Sequence, residues 1–511
     1  MVIPTGFLQG SAAGRRTARL LALLPVHAVV WTLAAWLSRG NLDTQGDMVE
    51  NYAWGIEWQA GYMKHPPLFA WITAAWFLVL PHVDIAYFAL SALNAMAGLL
   101  GIVALAGRFL PRRLAILAGL AMAVSPLYSS LAIKFNANAV LLSVWPWTAY
   151  FFVRFMQTGG WRSALAPGAL AGAAVLGKYF SVVLLVALLV ASLVRPAWRA
   201  RLFSWQSLVV AGAGVVVLLP HLYWLVAHHF MTFGYAEQRT GGTLLAAAGR
   251  FGIYTLAQIG YLLPSFVFIG LLVRSGRVRA AKRMALSYVR PSQSADLWWL
   301  ALGPLMVVGV IAVVTRTQMA SVWGMAQWFA LVPLWLAVLQ QGRVSVTVAW
   351  AGRVLVVYWL LVLAAAAAVG YLGALRNTDE AAEPRAELAA AANALWAQRV
   401  GNGPVPVVSG SSHEAQSIAF YGGNRTRYWD MASPQTTPWL RGDEVRSQGV
   451  LIVCPADESR CVADAAAWSN VQPVALEVNK RAWGRTLPAY RYLLFPVPPA
   501  TGLRAPTHNN T

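Results

Sequence analysis

Long apolar runs, broken by short basic segments, fill the chain as far as about residue 375. Runs at 19–37, 83–107, 114–133, 138–155, 163–177, 179–194, 205–227, 250–273, 296–315, 324–341 and 353–373 approach the roughly 20 residues that a helix needs to cross a bilayer core. They predict a mainly α, polytopic membrane domain of about eleven transmembrane helices. One further apolar run, 66–80, is short and opens on Pro66 and Pro67. Beyond residue 376 the pattern changes. Residues 381–399 read as a helix of Ala, Glu, Leu and Arg, and 414–421 as a second helix. Residues 404–409, 450–454 and 489–495 read as β-rich strands. The expected organisation is a membrane domain over 1–375 with an outer loop at 38–82, then a small soluble α/β domain over 376–511.

Charge orients this arrangement. The chain is 58% hydrophobic and only 11% charged, about half the charged fraction usual in soluble domains. Its formal charge of +20 does not indicate nucleic acid, because the basic residues fall in short loops between spans rather than along one aromatic-interleaved stripe. With a cytoplasmic N-terminus, the inner segments hold Arg15, Arg16 and Arg19; Arg108, Arg112 and Arg113; Arg154 and Arg162; Arg195, Arg199 and Arg201; the run from Arg274 to Arg290; and Arg343 and Arg353. The outer segments are poor in Lys and Arg, as the positive-inside rule requires. Counting 66–80 as a crossing would reverse every cluster from Arg108 onward. That run is therefore expected to be a juxtamembrane or re-entrant helix on the outer face. The first apolar run follows three arginines without a small-residue cleavage site and reads as an uncleaved helix.

The acids carry the chemical signal. Up to Tyr371 there are Asp43, Asp47, Glu50 and Glu57 in the first loop, and otherwise only Asp84, Glu237 and Asp296; the other twelve lie in the tail. Carboxylates near a bilayer are costly and seldom idle. If 47–60 is helical, Asp47, Glu50, Trp54 and Glu57 fall near one face. Asp47 is the candidate general base, Glu50 a supporting carboxylate, and Asp43 and Glu57 have no assigned role. Lys64 and His65 sit on the rigid turn that Pro66 and Pro67 impose. Lys178, Arg239 and Arg316 lie at outer helix ends or loops. Few carboxylates with several cations suit an anionic substrate, phosphate best of all. Tyr52, Trp54, Tyr62, Tyr179, His228 and Tyr235 are candidates to line the substrate pocket. His228 and His229 lack a third ligand at metal spacing, and no metal or other cofactor is indicated. Cys454 and Cys461, the two cysteines, lie in the tail. A disulfide between them is permitted outside the cytoplasm, the alternative being two free thiols.

Several segments together resemble family 39/83-type glycosyltransferases, the GT-C group containing the aminoarabinose lipid A transferases and protein O-mannosyltransferases. They are Asp47 followed by Tyr52-x-Trp54 and Gly61-Tyr62-x-x-His65-Pro66-Pro67-Leu68-x-x-Trp71; Gly177-Lys178-Tyr179; Pro220-His221-Leu222-Tyr223-Trp224 with His228 and Tyr235; and Trp323-Gly324 with Pro333-Leu334-Trp335. The resemblance covers most of 10–370 and implies a GT-C fold with a polyprenyl-phosphate-linked sugar as donor. It also implies an envelope acceptor such as lipid A, another glycan or a protein, and a bacterial inner membrane with the tail in the periplasm. It makes Asp47 the base and Lys64, His65, Arg239, Arg316 and Lys178 the donor-phosphate candidates. Two positions depart from the family pattern. Met48 follows Asp47 where Asp-Glu is common, and His65 precedes Pro-Pro where aminoarabinose transferases have Lys. A secondary transporter or lipid-linked sugar flippase is the alternative class, but its ionisable groups would lie on broken helices near mid-membrane, often in two related halves. A scaffold protein has no need of the acid–cation set.

Overall fold

The computed structural model describes residues 12–237, 241, 243–290, 294–317, 319–423 and 425–500. It is mainly helical, and its described strands, a five-stranded sheet and a two-stranded hairpin, lie near the C-terminal end of the chain. Among the described residues, six helices are long and apolar enough to cross a membrane: Thr17–Ser38, Asp84–Ala106, Gln206–Ala227, Leu244–Leu272, Ala295–Thr315 and Val348–Arg376. The number rises to eight if two bent pairs, Tyr179–Val194 with Pro196–Leu202 and Ser321–Trp328 with Leu331–Gln341, each count as one span. The third, fourth and fifth expected spans fall on Arg112–Ala123, Val140–Thr158 and Trp161–Gly177. These are helices but not among those six to eight, so length and composition do not establish a total of eleven. The 66–80 run contains one ten-residue apolar helix, Leu68–Phe77. At 1.5 Å per residue it spans about 15 Å, half a hydrocarbon core, too short by itself for a full crossing.

Contacts divide the chain into two compact units. One comprises Met1–Thr32, Met63–Leu68 and Ser91–Val362; the other comprises Leu33–Tyr62, Phe69–Leu90 and Leu363–Thr511. Most of the first loop thus shares a unit with the tail, not with the bulk of the membrane helices.

In the first unit, polar side chains among apolar helices satisfy one another. Asn94 Nδ2 donates to the Ala139 carbonyl at 2.6 Å, and its Oδ1 accepts from Ser143 at 2.6 Å. Trp145 Nε1 donates to Ser181 Oγ at 2.9 Å. Away from water, such pairing avoids the cost of an orphaned polar group.

Among the described residues of the second unit, seven strands form: β1 Val407–Gly410, β2 Arg427–Tyr428, β3 Val450–Pro455, β4 Val474–Val478, β5 Arg481–Ala482, β6 Arg485–Thr486 and β7 Tyr490–Val497. Five make a sheet in the order β2-β1-β3-β7-β4, parallel across β2, β1 and β3 and antiparallel at β7 and β4. β5 and β6 form a separate hairpin. The central strand β3, Val-Leu-Ile-Val-Cys-Pro, is covered on both faces, as an unbroken apolar run requires. Leu451 and Val453 join one buried cluster with Leu388, Trp396 and Ile418 from the helices Arg385–Arg399 and Ser412–Tyr421. Val450, Ile452 and Cys454 join the other with Ala465 of the helix Ser459–Ser469. The tail is therefore a layered α/β domain. The expected helices and strands appear with shifted ends, and the short β2 and half-exposed β4 are additional.

Candidate functional site

The helix Asp47–Gly55 presents the carboxylates in the first loop. Gly46 precedes it with φ +78°, a left-handed conformation that a residue with a Cβ adopts only at a cost, and a Cβ there would lie 2.8 Å from Nδ1 of His413. The Asp43 carboxylate supplies the cap. Its Oδ2 accepts from the Asp47 backbone N–H and its Oδ1 from that of Met48, both at 2.9 Å. The acid also lies near the positive end of the helix dipole. Asp43, only 1% exposed, thus has a positioning role that its sequence context did not reveal. Along this helix Met48, Val49, Asn51, Tyr52, Ala53, Trp54 and Gly55 are buried. Asp47 and Glu50 are half-buried. They are one turn apart, on the part of the helix that remains accessible. At the other end, a Cβ on Gly55 would lie 2.2 Å from the Ala70 carbonyl oxygen, so glycine lets this helix press against Leu68–Phe77.

The aromatic residues of this segment are buried. Tyr52, Trp54 and Tyr62 are 2%, 4% and 0% exposed. Tyr62 stacks on Trp54 at 5.2 Å and donates its hydroxyl to the Trp54 carbonyl at 2.9 Å. The Tyr52 hydroxyl pairs with His82 Nε2 at 2.9 Å, and its ring meets Phe77 and Phe420 edge-on. Burial pushes the Tyr52 hydroxyl up to about 12, so it stays protonated. The Tyr-x-Trp pattern places these rings in a core, where aromatic burial and edge contacts stabilise the loop.

Glu57 lies beyond the helix end and is neutralised. Arg427 of β2 grips it with two bonds, Nε to Oε1 at 2.8 Å and Nη2 to Oε2 at 2.7 Å, while its Nη1 reaches Glu444 at 2.9 Å. Burial raises the Glu57 carboxyl above its ordinary range, and Arg427 opposes that rise. The pair is a structural tie between loop and sheet.

Several tail residues that the sequence reading passed over meet the base of the loop. Arg385 donates through Nη1 to the Asp43 carbonyl at 3.0 Å, and its side chain is 1% exposed. Its Nε donates to Glu383 Oε2 at 2.9 Å, its Nη2 lies in ion-pair contact with the same oxygen at 2.8 Å, and His413 Nε2 lies 2.8 Å from the other Glu383 oxygen. Burial would raise the Glu383 carboxyl, but His413 and Arg385 together hold it down to about 2. Lys480 donates to the carbonyl of Gly40 and to Asn41 Oδ1, while Asn41 donates to the carbonyls of Glu380 and Glu383 at 3.1 and 2.9 Å. No periodicity or motif marks contacts between residues some 340 positions apart.

In the other unit, Lys178 follows the helix Trp161–Gly177. Its ammonium donates to Asn138 Oδ1 at 2.6 Å and lies 4.9 Å from the Trp323 ring centroid. Lys64 and His65 are half-buried. The turn that carries them ends at Leu68, whose Cδ2 lies 3.8 Å from where a Cβ on Gly177 would be. His-Pro-Pro-Leu and Gly-Lys-Tyr are thus neighbours. The Tyr179 hydroxyl is shared between His221 Nε2 at 2.7 Å and Thr232 Oγ1 at 3.1 Å. His228 stacks on Trp224 at 4.3 Å, and its Nδ1 lies 2.8 Å from the Trp224 carbonyl. Arg316 is exposed and ends Ala295–Thr315 with φ +53°. Arg239 lies outside the described residues, as does the side chain of Tyr235. Between Leu244–Leu272 and Ala295–Thr315 runs an apolar groove of about 660 Å³, lined by residues that include Phe251, Leu305, Gly309 and Val314. In the tail, Cys454 and Cys461 are joined by a disulfide. Among the described residues, no cluster of three or more His, Cys, Asp or Glu could hold a metal ion.

Residues 64–224 match the family model described as dolichyl-phosphate-mannose-protein mannosyltransferase. Two curated proteins of Rhizobium johnstonii are also similar. The lipopolysaccharide core galacturonosyltransferase RgtB is 36% identical over 76 residues, 15% of each chain. RgtA, of the same description, is 26% identical over 165 residues, 32% of each chain. The similarity thus spans a third or less of the curated relatives. Among solved structures, ArnT from Cupriavidus metallidurans bound to undecaprenyl phosphate overlaps 94% of this chain and 98% of its own, with 16% identity and a TM-score of 0.48. The Archaeoglobus fulgidus oligosaccharyltransferase in its apo form overlaps 90% of this chain and 69% of its own, with 11% identity and a TM-score of 0.39. At these scores the overlaps fix neither substrate nor residue roles.

The chain is a multi-span, mainly helical membrane protein, and the family model and curated proteins it resembles are described as glycosyltransferases. The family match and both curated relatives agree with the GT-C resemblance read from the residues. The family match begins at residue 64, so it contains Lys64, His65 and Lys178 but not Asp47.

Proposed function

We propose that this protein transfers a sugar from a polyprenyl-phosphate donor to a lipopolysaccharide or related envelope acceptor on the periplasmic face of a bacterial inner membrane. The N-terminus is cytoplasmic and the tail periplasmic in this reading, which rests on the distribution of Lys and Arg. Galacturonic acid is the first sugar to try, because both curated relatives are described as galacturonosyltransferases.

The observation that carries the reading is the paired, half-buried Asp47 and Glu50 on a helix otherwise packed into the core. Asp47 takes the proton of an acceptor hydroxyl. The acceptor oxygen forms its bond to C1 of the sugar as the C1–O bond to the phosphate breaks, and the electron pair leaves on the polyprenyl phosphate. Attack opposite the leaving group inverts the anomeric centre. The leaving group is already good, so protein cations need only stabilise the charge that grows on it. Lys178 is a leading candidate, with Lys64, His65, Arg316 and Arg239. The apolar groove supports a lipid-linked donor. Its lining residues Phe251 and Val314 come from helix ends that carry Arg250 and Arg316, so an acyl-like chain there would have cations close along the sequence.

The test is mass spectrometry of envelope glycolipids from cells with and without the gene. It is paired with transfer assays on the purified protein with polyprenyl-phosphate galacturonate and polyprenyl-phosphate mannose. Loss of one sugar from one glycolipid, with transfer in vitro, is expected. Unchanged glycolipids and no transfer from either donor contradict the proposal.

A further inference from the structure

The Asp47 helix does not stand on its own loop. Its first two amides are capped by Asp43, and the Asp43 backbone carbonyl is held by Arg385, a residue of the tail. Arg385 is oriented by Glu383, whose Oε2 accepts from its Nε and also ion-pairs with its Nη2, and Glu383 also binds His413. The His413 ring lies where a Cβ on Gly46 would be. On the other side Asn41 bonds the carbonyls of Glu380 and Glu383. Residues 41, 43 and 46, all just before the helix, are therefore each fixed by a tail segment within 380–413. Asp84, with Tyr421 donating to it at 2.6 Å, and Lys480, Glu387 and Glu414 are further charged groups near this cluster.

Stabilising the soluble domain does not require a buried guanidinium bonded to a loop carbonyl. Burying a cation with one carboxylate partner is costly unless its geometry is fully used. Here Arg385 spends one of its bonds on the residue that caps Asp47. We infer that Arg385, held by Glu383 and His413, is a positioning residue for Asp47, so that the C-terminal domain sets the geometry of the transfer reaction. It acts through Asp43 and touches no reacting atom. The inference rests on the reading of Asp47 as the base.

The experiment uses the full-length protein in detergent or nanodiscs, with Arg385→Ala and Asp47→Asn compared with wild type. Hydrogen–deuterium exchange is followed over 41–55 and over β3 and β7, and transfer is measured from polyprenyl-phosphate galacturonate. Arg385→Ala is expected to speed exchange over 41–55 while β3 and β7 stay protected. It is expected to lower kcat about 100-fold, the scale of a misplacement near 1 Å, with donor KM little changed. Added guanidinium ion should restore part of kcat, which a purely structural role would not allow. In the Asp47→Asn background the same substitution should cost little more. Wild-type exchange and kcat in folded Arg385→Ala overturn the positioning role and leave Asp47 intact. Wild-type transfer by Asp47→Asn overturns the reading of the base, and the inference with it. If Arg385→Ala does not fold, Asp43→Asn asks the same question. It puts an amide donor against one of the two N–H groups and should give the same local exchange and loss of kcat; wild-type values there also overturn the inference.

Discussion

The Asp43 carboxylate accepts the backbone N–H groups of both Asp47 and Met48 at 2.9 Å. One acid thus fixes the helix that presents the other. Replacing a cap of this kind by alanine costs about 1 kcal/mol. Asp43→Ala is expected to lower the melting temperature modestly, and to lower transfer much more than the lost stability explains. Thermal unfolding and initial transfer rates on the same preparation check this.

Gly46 is a second local test. Gly46→Ala meets both the left-handed backbone and the His413 ring. The expected destabilisation is about 1–3 kcal/mol, with faster hydrogen exchange confined to the start of Asp47–Gly55. Gly212→Ala serves as the control, since no atom lies within 4 Å of a Cβ there.

Glu57 should separate stability from chemistry. Its carboxylate is 7% exposed and bound twice by Arg427. Glu57→Gln removes a charge partner from the half-buried Arg427 guanidinium, a loss of about 1–3 kcal/mol. Each molecule that remains folded is expected to transfer sugar at close to the wild-type rate. A melting curve combined with active-fraction counting distinguishes this from a catalytic defect.

The pH dependence follows from Glu383. Its folded pKa of about 2 lies below the model-peptide value of 4.5. A depressed carboxylate contributes stability that is present above its unfolded pKa and is lost as pH falls through the folded one. The window is therefore about pH 4.5 down to about 2, and the contribution at neutral pH is at most about 3 kcal/mol. Unfolding measured across this range should show the decline in wild type and a weaker one in Glu383→Gln.

How much of this was legible beforehand depends on distance along the chain. The apolar runs revealed the membrane helices because composition alone decides burial in lipid. The brevity of 66–80 and the arginine clusters argue against it as a crossing, and the helix found there has ten residues. β3 was readable as a continuous apolar strand, whereas β2 has only two residues and carries no pattern. Asp47 stood out by charge, but the parts played by Asp43 and Glu57 did not. Their partners, Arg385 and Arg427, are more than 340 residues away, and a single sequence carries no signal for such pairing. That Tyr52, Trp54 and Tyr62 are buried could not be read beforehand, because an aromatic next to an acid looks the same whether it faces substrate or core.

The central claim is that Asp47 is the base. The most direct measurement is the transfer rate of purified Asp47→Asn, with donor binding and melting temperature recorded alongside. The expected result is a loss of about 10²–10⁴-fold in kcat, with donor affinity and stability near wild type. Transfer at the wild-type rate would contradict the account.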